Sequence, residues 1–332
     1  MNNPFFSILV PVYNVSNYLD ECVNSLLAQT FGSFEIILLD DGSTDDSGKK
    51  CDDWQKKDNR IRVIHRENKG LFTTRLDELE QAKGEYVVFV DSDDYIAKNT
   101  LEFLYGHIEK YACDVVTYGR SIIDAPGQIR RIELNVYENE KIFVGSQRHI
   151  LLERMFKNND LISIWSKCVK RTLLIEYLSE LRKYEGVNFG EDKIFTAAIF
   201  GCFEKLVYTD EPLYFYRWNA DGMSSRSQVK YFPDIETCRR AVKCFVENCE
   251  CQEKITVLKK FWNREWYGAL YLLKEYLRLD VPKSKYKELY KKTAASIKQY
   301  GTCPLKYKFL FAVLNSALYS LLKKIIKLIW PV

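Results

Sequence analysis

Histidine is scarce in this chain: three occur among 332 residues, at 65, 107 and 149. That scarcity speaks against a His-rich metal centre and leaves little from which to assemble a Ser/His/Asp triad. No CxxC pair occurs among the ten cysteines scattered from Cys22 to Cys303, and Cys249 and Cys251 stand too close together for a zinc knuckle. They read as reduced structural thiols of a cytosolic protein. No GxGxxG follows the first strand-like run, and neither GxxxxGKS nor GxxxxGKT occurs. Dinucleotide-binding and P-loop readings lose their support, and so does a nucleotidyltransferase with a glycine-rich phosphate loop. There is no repeat or low-complexity tract. No basic region precedes an apolar leader at Met1-Asn-Asn-Pro-Phe-Phe, so the expected location is cytoplasmic. A net charge of +4, with no basic run interleaved with aromatics, gives no footprint for nucleic acid.

What is present is an ordinary folded composition, 47% hydrophobic and 28% charged, in a chain long enough for one large α/β domain with an appendage. Its organising stretch is Tyr86-Val-Val-Phe-Val-Asp91-Ser-Asp93-Asp94. Five β-branched or aromatic residues in a row read as a strand buried on both faces, which then stops in carboxylates. In open α/β sheets, ligands bind beyond the carboxyl ends of the strands, so these acids face a crevice. Their mutual repulsion invites a cation. Hard oxygen donors suit Mg²⁺, Mn²⁺ or Ca²⁺, and Mg²⁺-type ions rest on one or two carboxylates plus substrate phosphates. The plainer alternative is a solvated turn with Asp94 capping a helix over Asn99 to Tyr111.

The preceding chain repeats the pattern. Phe6 to Val12 predicts a strand, and about Asn17 to Gln29 a helix with Leu19, Val23, Leu26 and Leu27 on one face. Phe34 to Leu39 predicts a second buried strand, again ending in acids, Asp40-Asp41-Gly42-Ser43-Thr44-Asp45. A polar-faced helix leads to a third strand, Ile61 to His65. Asn68-Lys69-Gly70 then opens a helix that Gly84 closes before the Tyr86 strand. The order βαβαβαβ implies right-handed crossovers and a parallel sheet, so Asp40/Asp41 and Asp91/Asp93/Asp94 reach the same edge. A nucleotide fits there, with an Asp accepting a base N–H and Pro11 and Tyr13 as an apolar wall.

Further on, Asp114 to Tyr118 and Leu213 to Arg217 predict strands, Ile129 to Val136 an antiparallel one, and Ser146 to Phe156 a helix. Gly190-Glu191-Asp192 opens an apolar helix over Ile194 to Phe200, where acids complement the helix dipole whatever else they do. Arg217 is either a surface charge or a phosphate clamp. Beyond Phe232 the pattern turns helical. In 304–332 a face of Leu310, Leu314, Leu318, Leu321, Ile325 and Leu328 opposes Lys323, Lys324 and Lys327, with no acid after Glu288. The apolar run is short of the roughly 20 residues needed to span a bilayer. A basic amphipathic helix on the inner face of the cell membrane is expected. Packing against the protein or a second subunit is the alternative, and it leaves a homo-oligomer open.

These residues together resemble the family 2 inverting glycosyltransferases of GT-A fold, particularly the bacterial enzymes of capsule, exopolysaccharide and O-antigen assembly. The resemblance runs through Ser7-Ile-Leu-Val-Pro11-Val-Tyr13-Asn14, Leu26-Leu-Ala-Gln29-Thr30, Asp40 to Asp45, Asn68-Lys-Gly70, Gly84-Glu-Tyr and Asp91-Ser-Asp93-Asp94. It continues more weakly through Trp165-Ser-Lys167, Gly190-Glu191-Asp192 and Tyr216-Arg217, covering roughly the first 225 residues. It implies a GT-A catalytic domain over 1–228, with a nucleotide-binding half at 1–112 and an acceptor half at 113–228. A helical extension, 229–303, and the amphipathic segment 304–332 follow. Pro11, Tyr13 and Asp41 are then expected at the base, Asp91 at the ribose or metal, and Asp93 on a Mn²⁺ or Mg²⁺ ion. Arg75, Arg217 and Ser224 would contact the donor, Asp192 would be the base, and Asp94, Trp165 and Glu191 would face the acceptor.

Two departures touch the donor contacts: Leu76 follows Arg75 where the family usually has Asn, and Gly222 replaces the first serine of a Ser-Met-Ser loop. The implied function is transfer of a hexosyl or N-acetylhexosaminyl group from a sugar nucleotide, expected to be a UDP-sugar, to a glycan or lipid-linked glycan. Two alternatives stand beside it, a non-catalytic membrane scaffold of the same fold and a haloacid-dehalogenase-type phosphatase using Asp91 and Asp93. The latter's motif normally lies near the chain start, with Thr or Val where Tyr95 stands here.

Overall fold

The computed structural model describes residues 3–125, 127–133, 137–158, 161–218, 232–251, 253–261 and 264. Its first half is the predicted alternation: β1 (Phe6–Val12), α1 (Leu19–Leu27), β2 (Phe34–Asp40), α2 (Ser47–Lys57), β3 (Ile61–His65), α3 (Leu71–Gln81) and β4 (Tyr86–Phe89). β1 pairs in parallel with both β2 and β4, and β2 with β3. β1, β2 and β4 are buried on both faces, and alternate residues feed two apolar layers. Leu9, Ile37, Val87 and Phe89 pack on the α3 side, while Ile8, Val10, Ile36, Leu38 and Val88 pack on the other with Leu19, Val23 and Leu26 of α1. α1 begins two residues later than its periodicity suggests. Asn14 takes a left-handed turn (φ 52°), and a tight turn over Val15 to Tyr18 precedes the helix.

After the short β5 (Tyr95–Ile96) come α4 (Thr100–Tyr111), β6 (Val115–Ala125), β7 (Gln128–Glu133) and β8 (Lys141–Val144). Then follow α5 (Arg148–Asn158), β9 (Lys167–Lys170), α6 (Arg171–Ile175), α7 (Leu178–Leu181), α8 (Glu191–Cys202), β10 (Lys205–Arg217) and α9 (Phe232–Asn248). Among the described residues one sheet runs β3-β2-β1-β4-β9-β6-β10-β5, with β7 beside β6 and β8 beside β10. β9 lies antiparallel between β4 and β6 and joins the early strands to the later ones.

Periodicity does not disclose β9, because Lys-Cys-Val-Lys carries lysines where a buried strand carries apolar residues. Lys167 is nevertheless buried, its ammonium donating to the carbonyls of Leu161 (2.8 Å) and Ser163 (2.6 Å). β6 and β10 are both longer than predicted. Pro212 reads as a break, yet irregular pairing with β6 around Tyr208 to Tyr214 absorbs it.

Gly84, between α3 and β4, lies directly against β1. Its N–H donates to Ser7 Oγ (2.8 Å), and a Cβ there would stand 2.5 Å from the Ser7 nitrogen. Gly84→Ala should therefore lower stability by about 1–3 kcal/mol, read from urea unfolding. An unchanged midpoint would mean that β1 and β4 can separate freely.

Candidate active site

The carboxyl ends of β1, β2 and β4 open on a cleft of about 440 Å³. Pro11 and the half-exposed Tyr13 form one wall beyond β1. Asp41 follows β2, and nearly all of its carboxylate capacity is spent on the loop after β3. Oδ1 accepts from Lys69 N (2.9 Å) and Arg66 Nε (2.8 Å), while Oδ2 accepts from Gly70 N (2.8 Å). One further acceptor position on Oδ2 is left for a ligand. Gly70 must be glycine. It has φ +85°, and a side chain would strike the Asn188 amide oxygen. Asp41→Ala leaves two main-chain donors and Arg66 without their acceptor in a buried place. It should cost about 2 kcal/mol in urea unfolding.

Beyond β4, Asp91, Ser92 and Asp93 line the cleft. Asp94 does not: it is 2% exposed and ties the turn to β10, accepting from Arg217 N (2.7 Å) and the Tyr214 hydroxyl (2.8 Å). That hydroxyl also accepts from Asp91 N (3.0 Å). The expected acceptor contact at Asp94 is thus replaced by a bracing role. The helix-cap alternative is not seen either, since α4 starts after Asn99, with no side-chain cap. Burial, then Asp93 and Asp91, raise the Asp94 carboxyl well above the usual range.

From the other half of the chain, Glu191 and Asp192 open α8 beside the cleft, with Trp165, Tyr216 and Arg217 completing it. Arg75, 1% exposed, joins the two halves. Nη2 donates to Asp91 (2.7 Å), and Nη1 donates to Asp192 (2.8 Å) and Glu191 (3.2 Å). Arg75 was expected at the donor; in the structure it borders the cleft with both terminal nitrogens engaged by carboxylates. Arg217 is also held. Its main chain bonds Asp94, Nε donates to the Asp93 carbonyl (3.0 Å), Nη2 pairs with Glu21 and the guanidinium lies over Tyr18 (5.0 Å). Trp165, which lines the cleft, is stacked on Tyr214 and Tyr216. Ser224 and the amphipathic segment 304–332 lie outside the described residues.

Five carboxyl-bearing residues line the cleft against two arginines. The excess has the expected electrostatic effect: burial, then Asp91, pushes the Asp93 carboxyl up to about 6. Burial also raises Glu191 and Asp192, against the pull of Arg75. Arg75 itself would be lowered by burial, but Asp91, Asp192 and Glu191 outweigh that and keep it charged. The donor set suits a hard divalent cation. Among the described residues no other residue donates a hydrogen bond to the Asp93 carboxylate, which meets only its own main-chain N–H, and only one oxygen of Asp91 is taken by Arg75. Among the described residues no three His, Cys, Asp or Glu side chains form a complete cage, so such an ion would need oxygens from a ligand as well. Sequence reasoning overlooked Arg66, Tyr214 and Glu21. Of these only Arg66 left a trace, as a cation directly after a strand end.

The Glycosyl transferase family 2 profile matches residues 7–172. The chain is 34% identical over 225 residues to the glycosyltransferase GlyA of Streptococcus pneumoniae serotype 4, covering 66% of this chain and 31% of GlyA. It is 32% identical over 233 residues to the uncharacterized glycosyltransferase EpsJ of Bacillus subtilis, covering 70% of this chain and 66% of EpsJ. It thus spans just under a third of GlyA and about two thirds of EpsJ. Among solved structures, Staphylococcus aureus TarS 1–349 in complex with UDP-GlcNAc superimposes with a TM-score of 0.65 at 25% identity, covering 89% of each chain. The central sheet flanked by helices is that of this GT-A neighbour. Among the described residues no helix is long and apolar enough to cross a membrane.

Proposed function

The chain belongs to glycosyl transferase family 2, and from that premise we propose that it moves a sugar from a UDP-sugar to a hydroxyl of a glycan acceptor in bacterial polysaccharide synthesis. The observation that carries this reading is the convergence on one cleft of Asp41, Asp91 and Asp93 with Glu191 and Asp192, joined through Arg75. The likeness to TarS bound to UDP-GlcNAc favours an N-acetylhexosamine donor. With the family established, the phosphatase alternative loses its basis.

In this reading Pro11 and Tyr13 flank the uracil, and Asp41 both shapes the loop beneath it and offers its remaining acceptor position. Asp192 is the base. Its Oδ1 is engaged by Arg75, and its side chain keeps 22% of its surface open toward the cleft. An acceptor hydroxyl is a poor nucleophile, so a carboxylate must take its proton as the oxygen attacks the anomeric carbon. The bond to the β-phosphate oxygen breaks on the opposite side, the configuration inverts and UDP departs. Arg217 offers positive charge to the departing diphosphate. Asp93 and Asp91 would hold Mn²⁺ or Mg²⁺, which when bound neutralises diphosphate charge. Glu191 and Trp165 border the acceptor side. A lipid-linked acceptor at the inner membrane face, with 304–332 on that surface, fits the sequence pattern of the tail.

A screen of UDP-sugars for hydrolysis and transfer with Mn²⁺ present should find one accepted donor and no activity on phosphomonoesters. Chelation should weaken UDP binding by about 10²-fold in calorimetry. UDP affinity that is unchanged after chelation would remove the metal from the scheme.

A further inference from the structure

α3 buries a carboxyl group that nothing described so far uses. Glu78 is 0% exposed, and neither side-chain oxygen meets a partner at hydrogen-bonding geometry among the described residues, although the Val10 main-chain N–H lies near enough to favour its charged form. Phe72, Leu76 and Leu79 of the same helix belong to the apolar layer on that side of the sheet. Burial raises its carboxyl well above the usual range, opposed first by Arg75 and then by Arg66. An unpartnered buried carboxyl is costly, and a leucine of similar volume would be tolerated at least as well by the fold.

The same helix face holds a matching orphan. Arg75 stands three residues earlier, the spacing that sets two side chains over one another. Its two terminal nitrogens are spent on Asp91, Asp192 and Glu191, while its Nε–H is buried without a partner. A donor and an acceptor, both buried and both unpaired, thus lie one helical turn apart beneath the cleft.

We propose that Glu78 is a positioning residue for the transfer reaction: it accepts the remaining N–H of Arg75 and steadies the guanidinium when the carboxylates on the other side are drawn toward substrate. Glu78 touches no substrate. Its effect passes through Arg75 to the orientation of Asp192, where a small misplacement costs rate out of proportion to its size. The proposal rests on the cleft being the transfer site.

The test compares Glu78→Gln, which keeps a carbonyl acceptor, with Glu78→Leu, which keeps only volume, in the full chain. Glu78→Leu should unfold in urea at the wild-type midpoint or above it, lose on the order of tenfold in kcat and keep its KM for the donor. Glu78→Gln should stay close to wild type. Wild-type kcat in Glu78→Leu overturns the proposal, and so does a midpoint well below wild type, since the carboxyl would then be supporting the fold. A readout independent of turnover is the Arg75 Nε–H resonance, assigned by its loss in Arg75→Lys. On adding UDP it should become protected from exchange in wild type and Glu78→Gln but not in Glu78→Leu, and identical behaviour in all three overturns the proposal. A wild type inactive on every UDP-sugar would count against the transfer reading instead, and the resonance would still judge Glu78.

Discussion

Replacing Asp192 with asparagine should lower kcat by about 10²–10⁴-fold while leaving the affinity for UDP nearly unchanged. The amide keeps the shape of the side chain and an oxygen for Arg75 Nη1, so the joint between the two halves of the cleft survives. What disappears is the group proposed to take the acceptor proton. The pH profile gives a second check. Burial raises the Asp192 carboxyl, with Arg75 pulling it back, so the base fills with protons from a higher pH than an exposed aspartate would. Activity should therefore rise with pH along an acidic limb above the ordinary carboxylate range. That limb belongs to the whole cluster, since Glu191 and Asp93 are also raised. It should shift, as the rate falls, in Asp192→Asn. A variant that turns over at the wild-type rate would take the base role from Asp192.

Arg75→Met should be the most disruptive single change, costing about 3–5 kcal/mol in urea unfolding and abolishing turnover. Removing the guanidinium leaves Asp91, Glu191 and Asp192 facing one another with no cation between them. They would protonate or move apart, and either result dismantles the site. Arg75→Lys should recover part of the stability but little of the rate, because a point charge cannot bridge β4 and α8 as a planar fork does. Wild-type stability in Arg75→Met would show that the acids are already neutral and that the bridge carries no charge. The pair of variants separates two roles, since loss of Asp192 removes chemistry alone and loss of Arg75 removes the frame that holds it.

The strand-end acids Asp41, Asp91 and Asp93 were legible from the chain because a buried strand has a local signature and its carboxyl edge has a general meaning. Glu191 and Asp192 were legible as a helix start, while their link to Arg75, 116 and 117 residues away, was not. Asp94 shows the limit most sharply. It sits in the same acidic run as Asp93, yet a tyrosine hydroxyl 120 residues later claims it. β9 was hidden because buried lysine breaks the hydrophobic pattern, and its carbonyl partners lie in an irregular segment without periodicity.

The order of strands and helices through β4, the class of fold and the edge at which the acids gather follow from local pattern, because each rests on residues within one or two turns of one another. Which acid faces the cleft, which one braces β10 and which cation binds the two halves together were decided by packing. Burial and pairing across more than a hundred residues assign these roles, and neither is a property of the neighbouring sequence.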